Sequence, residues 1–313
     1  MVFCLRRYIV KKLLLIVNPR AGKNKSHAPL YDAIARLSEG GYLIHVMETK
    51  APGDATRAAR DMGGLYDTVA CYGGDGTLNE TISGLMQLDK RPKLGYLPAG
   101  STNDFAATLH IPVVPYMAAN IIAGGETMAL DVGRHNDRYF SYVASFGAFT
   151  KASYSAPQEV KNALGHFAYI LEGIKSLDSL RPYHCRITAD EETVEGDFIF
   201  GSVCNSTSLA GLVKLDPNRV RMDDGEFEVV LLRMPRTALD LTGLLVSLKQ
   251  MQYDNPGIFF RHASKVTVET EDDIPWSLDG EYAPSQNVVQ IENCHGAINL
   301  LVEKPKDESM ETE

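Results

Sequence analysis

The sequence predicts a two-part α/β protein: a parallel, layered sheet first, then an antiparallel, β-rich part. Three observations carry that expectation. Up to Asp131, short apolar runs alternate with segments of helical period, the pattern of strands joined by crossover helices. Beyond Asp131, short alternating segments are separated by turn clusters such as Ala189-Asp190-Glu191-Glu192 and Asp223-Asp224-Gly225. The 313 residues suffice for two domains at about 150 residues each. The expected boundaries are 12–132 for the α/β part, 133–303 for the β-rich part and 304–313 for a flexible acidic tail. The C-terminal segment is a candidate to return to the first part.

Each element has its own signal. Leu13–Asn18 is a continuous apolar run, as in a strand buried on both faces, and it ends in turn residues. Leu30, Ile34 and Leu37 recur at helical spacing until Gly40-Gly41 stop them. Tyr42–Val46 reads as the second strand. Asp54 is expected to N-cap the next helix, whose stripe is Ala55, Ala58, Ala59 and Met62. Thr68–Tyr72 is a third strand. Gly73-Gly74-Asp75-Gly76 then opens a helix with Leu78, Ile82, Leu85 and Met86 on one face. Leu94–Leu97 is a fourth strand, ending in Pro98-Ala99-Gly100-Ser101. In the β-rich part the expected strands are His184–Thr188, Asp197–Val203, Glu226–Leu232, Lys265–Glu269 and Val288–Ile291, with helices near 158–179 and 237–251.

Composition excludes several classes. An apolar share of 44% with 23% charged residues supports a folded core. With 31 basic and 40 acidic residues the net charge is −9, which argues against a protein that coats nucleic acid. No apolar run reaches the ~18 residues of a membrane span, and Leu13–Val17 is too short for a secretory core. Cys4, Cys71, Cys185, Cys204 and Cys294 form no CxxC pair. The sequon at Asn79 lies inside a glycine-rich motif, and those at Asn24 and Asn205 are read as accidental too. A reducing, cytoplasmic setting is expected. The basic N-terminus (Arg6, Arg7, Lys11, Lys12) supports at most a transient, peripheral visit to the inner face of a membrane, at about 1 kcal/mol per cation. A homodimer stays open.

Three loops at the carboxyl ends of strands carry chemistry, where α/β sheets bind ligands. In Gly73–Glu80, three glycines in four positions let a backbone approach a bulky anion, and the following helix offers free N–H groups. Asp75 amid those glycines suits a hydroxyl, a water or Mg2+ beside a phosphate chain. Asn18–Lys23 adds Gly22 with the cations Arg20, Lys23 and Lys25. Pro98–Phe105 adds Ser101, Thr102 and Asp104. The third glycine of a dinucleotide fingerprint, a Walker A loop and HExxH are absent. Val143–Gly147 is only half of a nucleophile elbow.

These residues resemble the diacylglycerol kinase catalytic-domain family, in its bacterial soluble lipid-kinase branch. The resemblance rests on VNPRAGK (17–23), GGDGTLNE (73–80), LPAGSTNDFA (97–106), Asp131-Val132-Gly133, MDDGEFEV (222–229) and LDGEY (278–282). GGDGT alone is shared with NAD kinases and 6-phosphofructokinases. The resemblance implies an NAD kinase/diacylglycerol kinase-like α/β domain, a C-terminal antiparallel β-sandwich and ATP in the cleft between them. It implies nucleotide contacts from Asn18, Pro19, Arg20, Ala21, Gly22, Thr49, Gly74, Asp75, Gly76, Thr77, Leu78, Asn79, Glu80 and Ser101. Asp75 would belong to a catalytic Mg2+–water network with Asp104 and Asp131 as partners, and Glu281 would be the proton acceptor. A second, structural Mg2+ would take the Asp224 carboxylate and the carbonyls of Arg221 and Glu226. The expected activity is ATP-dependent phosphorylation of diacylglycerol or a related lipid alcohol. Phosphoryl transfer needs mainly positioning and charge neutralisation, with a carboxylate to take the hydroxyl proton. The helix bearing Val160, Leu164, Phe167, Leu171 and Ile174 is a candidate lipid lining. NAD kinase chemistry and a non-catalytic lipid- or nucleotide-binding regulator are the alternatives.

Overall fold

The computed structural model describes residues 10–21, 28–101, 103–147, 180–209 and 213–304. Arg6, Arg7, Gly22, Lys23, Lys25, Thr102, the helix expected at 158–179 with its apolar stripe, and the tail from 305 lie outside the described residues. The chain divides into two units: Met1–Met128 with Asn299–Glu313, and Ala129–Ile298.

The first unit alternates β1 (Lys11–Val17), α1 (Ala28–Glu39), β2 (Tyr42–Glu48), α2 (Asp54–Met62), β3 (Thr68–Gly73), α3 (Asp75–Leu85), β4 (Lys93–Pro98), α4 (Asp104–Thr108) and α5 (Pro115–Gly124). Its strand order is β2-β1-β3-β4, and beyond β4 the end of the chain's last strand pairs Leu300 with Leu94. All these pairings are parallel. Leu13 to Val17 are all buried, as expected for a strand covered on both faces. Leu78, Ile82 and Leu85 bury the inner face of α3, and Leu37 anchors α1.

One cap differs from expectation. Asp54 is the first residue of α2, and Gly53, at φ 83°, holds the cap position. The reason is a carboxylate from elsewhere: Glu80 accepts from the Gly53 and Ala55 amides at 2.8 and 3.1 Å. With the start of α2 already satisfied, Asp54 accepts instead from the Lys50 and Ala51 amides of the preceding turn.

The second unit is built from β5 (Glu126–His135), β6 (Arg138–Phe140), β7 (Val143–Gly147), β8 (Tyr183–Ala189), β9 (Glu192–Cys204), β10 (Ser208–Leu209), β11 (Val213–Lys214), β12 (Phe227–Arg233), α6 (Ala238–Lys249), β13 (Ile258–Ala263), β14 (Lys265–Glu269), β15 (Trp276–Leu278), β16 (Glu281–Ala283) and β17 (Val288–Val302). Strand β9 is shared: its first half pairs β8, while its second half pairs β7 and β12, all antiparallel. Beyond β8 the sheet continues through β14 to β17. Phe146 packs on Trp276 with ring centroids 4.9 Å apart. Two glycines make room for the aromatic core, because a Cβ on Gly201 would lie 2.1 Å from the Phe146 ring and one on Gly133 2.1 Å from Phe140. α6 carries a full capping box at Thr237 and Asp240.

Glu228 on β12 is a buried acid in this unit, 3.9 Å from His262, and burial pushes its carboxyl up to about 9. The folded chain therefore keeps a proton that the unfolded chain, titrating near 4.5, releases. Between those two values the folded state binds more protons, so stability falls as pH rises. Glu228→Gln is expected to flatten the fall of Tm between about pH 5 and pH 9 and to raise Tm at the alkaline end, as read by differential scanning calorimetry.

Candidate active site

The three loops singled out in the sequence meet at the carboxyl edge of the parallel sheet. Asn18, directly after β1, donates from its Nδ2 to Thr77 Oγ1 at 3.0 Å and accepts from the Arg20 amide through its Oδ1. That ties the first loop to the first turn of α3. The Thr49 amide donates to the Val17 carbonyl at 2.8 Å, which fixes the end of β2 beside it. Gly74 caps α3 in an extended conformation and, as glycine, brings no side chain to the helix start. The loop after β4 comes down onto it. A Cβ on Gly74 would sit 3.1 Å from Gly100 Cα, and one on Gly100 only 2.6 Å from Gly74 Cα. Two backbones thus touch where any other residue would hold them apart. Asn103, at φ 53°, closes the Gly100 turn in both directions: its Oδ1 accepts from the Gly100 amide and its Nδ2 donates to the Gly100 carbonyl.

Asp75 stands at this junction. Its carboxylate accepts from the Asp104 and Phe105 amides at 3.1 and 3.4 Å, and from the Tyr96 hydroxyl at 3.4 Å. The opening of α4 therefore orients it, and Tyr96 is held as a neutral phenol, pushed up by burial and by the Asp75 charge. Arg20, Pro19 and Ser101 are exposed along the same edge. Three further residues expected there also bind within the fold. Leu78 is wholly buried and its amide donates to the Gly74 carbonyl. Asn79 is buried. Glu80 spends both oxygens on the start of α2. Cys71, directly behind, is pushed up to about 12 by burial and is a packing residue.

The remaining candidates belong to the second unit. Glu281 follows a two-residue turn in which Asp279 and Gly280 both take positive φ, 49° and 86°, the type I′ geometry that favours Asp-Gly. The turn holds Glu281 half-exposed, 3.7 Å from Arg138. Asp279 is itself buried and accepts from the amides of Ser141, Tyr142 and Val143. Burial pushes its carboxyl up to about 7, against three N–H donors that favour the charged form. Sequence reasoning passed over Asp279, although the Asp-Gly dipeptide was a signal for it.

Asp131 is wholly buried and accepts from four groups: the Gly225 amide, Asn293 Nδ2, His295 Nδ1 and the Gly296 amide. A carboxylate has about four acceptor sites, so these donors fill it. Its own amide donates to the Met222 carbonyl. Asp131 thereby staples the 222–226 turn to β17. Within that turn Asp224 Oδ1 accepts from the Glu226 amide at 3.1 Å, the Glu226 carbonyl accepts from Asn293, and Arg221 pairs with Asp223 at 3.3 Å. Among the described residues no three His, Cys, Asp or Glu side chains converge as a metal cluster. No helix among them is long and apolar enough to cross a membrane.

The geometry agrees with what this chain is similar to. Residues 12–135 match the model of the diacylglycerol kinase catalytic domain. Residues 143–302 match that of the YegS C-terminal NAD kinase beta sandwich-like domain. A protein named diacylglycerol kinase from Bacillus subtilis (strain 168) is 32% identical over 307 residues, 96% of this chain and 100% of that one. The chain belongs to the diacylglycerol kinase catalytic-domain family. Another relative of that name, from Staphylococcus saprophyticus, is 32% identical over 87% of this chain and 89% of its own. Among solved structures, one named for a diacylglycerol kinase of Bacillus anthracis superposes with a TM-score of 0.80 at 28% identity, covering 94% of this chain and 97% of that one. Membership makes the protein a kinase-type phosphotransferase, and the parallel α/β part followed by an antiparallel, sandwich-like part is the family's architecture.

Because Asp279 gathers the three amides of the 141–143 bend, Asp279→Asn is expected to cost about 2 kcal/mol of stability. Urea unfolding followed by tryptophan fluorescence reads this directly, since Trp276, the one tryptophan, lies in the strand before the turn.

Proposed function

We propose that the protein transfers the γ-phosphate of ATP to the hydroxyl of diacylglycerol or a related lipid alcohol, with Mg2+ and a carboxylate base. The observation that carries this reading is the contact of Gly74 on Gly100 beside the open start of α3, with Asp75 set into it. Backbone N–H groups at a helix start, with no Cβ in the way, suit a phosphate chain. The names of the relatives point to the lipid acceptor. A cytoplasmic protein that visits a membrane surface accords with that acceptor.

The residues present fit the implied groups. Asp75, oriented by the Asp104 and Phe105 amides and the Tyr96 hydroxyl, is the carboxylate that would hold Mg2+ and its waters, with Asp104 as neighbour. The four donors on Asp131 give it the task of holding the 222–226 turn. There the Asp224 carboxylate and the carbonyls of Arg221 and Glu226 are the set for a structural Mg2+. When bound, Mg2+ neutralises charge on the phosphates. The chain's own part is threefold. Asn18 and Thr77 fix the loop after β1, the Gly74–Gly100 contact seats the phosphates, and Glu281 takes the hydroxyl proton. The acceptor oxygen then forms its bond to the γ-phosphorus, the bond to the β-phosphate oxygen breaks, and ADP leaves.

Incubation of the protein with labelled ATP, Mg2+ and a panel of lipid alcohols, resolved by thin-layer chromatography, tests the reading. Label is expected in a lipid product. Label confined to NAD, or nucleotide binding without any transfer, would replace it. Asp75→Asn and Glu281→Gln should each lower kcat by about a hundredfold or more while leaving Tm nearly unchanged. Gly100→Ala should instead weaken nucleotide binding by about tenfold in isothermal titration, because its methyl group separates the two turns.

A further inference from the structure

We propose that Val113, Val114, Tyr116 and Met117 form a docking patch for a lipid bilayer surface, at the same sheet edge as the glycine turns. These side chains are 62, 51, 47 and 52% exposed. Single exposed apolar residues are ordinary on any surface, but four within five positions make a contiguous patch. Pro112 and Pro115 flank the two valines and stiffen the segment that presents them.

Charge is the second observation. From Phe105 to Gly125 the chain carries no Asp, Glu, Lys or Arg, in a protein where 23% of residues are charged. The exposed members of that stretch, Ala107, His110, Val113, Val114, Tyr116, Met117 and Gly124, therefore present no carboxylate of their own to a lipid headgroup layer. For a chain of net charge −9 this is the kind of surface that can approach a bilayer without charge repulsion. Within the stretch itself no charged side chain is present to fix the orientation of a protein partner. A tyrosine among aliphatic side chains suits the boundary between headgroups and acyl chains.

Position is the third. Arg36 of α1 donates to Asn120 of α5, and Gly40 abuts Ala123, so the two helices run side by side in one direction. Ile122 lies against Gly95 near the start of β4, so α5 runs back along β4 and begins where β4 ends. Its first turn, with the patch, is thus at the edge that carries Gly74, Gly100 and Asp75. Tyr31, in the matching turn of α1, is 69% exposed as well. A lipid surface seated on the patch would present acceptor hydroxyls to that edge. In this respect the inference rests on the proposed lipid acceptor.

The test compares the parent protein with a Val113→Asp/Val114→Asp variant and with Leu65→Asp. Leu65 is 71% exposed but lies just before β3, at the opposite edge of the sheet. Vesicles of phosphatidylcholine carrying diacylglycerol are sedimented with each protein at low and high salt. The parent is expected to partition onto them independently of salt. The double variant should lose about tenfold or more of that partition, and Leu65→Asp none. Phosphorylation of a short-chain, water-soluble diacylglycerol should be unchanged in the double variant while that of vesicle-borne diacylglycerol falls. The proposal is overturned if the double variant partitions like the parent, if Leu65→Asp loses as much, or if binding vanishes in salt. Light scattering that shows a parent dimer split by the double variant would overturn it in favour of a second copy on the patch. A parent that phosphorylates no lipid alcohol would end the proposed function, whereas the vesicle partition would still decide the patch.

Discussion

Everything at the carboxyl edge of the parallel sheet depends on one backbone contact, Gly74 against Gly100. It joins the turn after β3 to the turn after β4, and the other interactions are arranged around it. The Ala99 amide donates to the Gly73 carbonyl, Asn103 closes the Gly100 turn, and the start of α4 reaches Asp75. Asn18 brings in the turn after β1 through Thr77. Three loops from three strands behave as one block because their polar groups satisfy each other. The glycines add no side chain of their own at the start of α3, which suits a bulky anion.

The second unit solves a different problem. The bends between its strands leave amides that no strand pairing can satisfy. Buried or nearby carboxylates take them. Asp279 gathers the amides of 141–143, Asp131 those of Gly225 and Gly296, and Asp190 those of Ser264 and Lys265. Glu228 contrasts with them: buried among Cys204 and His262, its Oε2 finds no donor among the described residues, and it stays protonated as a result. The carboxylates in this unit thus include some that build turns, Glu228, which burial keeps protonated, and Glu281, which a tight turn leaves half in solvent.

Much of this was legible beforehand. Strands β1, β3 and β4 of the first unit were written in buried apolar runs, and β14 was read from Lys265 to Glu269 as it stands. The glycine loops announced themselves through residue types that only a close approach or a turn requires. Other features were not legible. The last strand was read to Ile291 but runs to Val302, because His295 and Gly296 break the alternation while Asp131 ties them into place. The β15–β16 hairpin has only three residues in each strand, and β7, buried along Val143–Phe146, shows no alternation to read. α5 has apolar residues on nearly every side, so no stripe marks it.

The sequence by itself determined the class of the protein: where backbone can approach an anion, which carboxylates sit in turns, and that the chain changes from parallel to antiparallel pairing after Asp131. Those properties reside in residue types and short spacings. Only the tertiary structure decided what each acid does. Glu80 caps α2, twenty-five or more residues away in sequence; Asp131 staples a turn to a strand more than ninety and then more than one hundred and sixty residues on; Asp75 is aimed by α4. A carboxylate takes whichever donors the fold delivers to it, and donors brought from so far along the chain leave no local pattern to read.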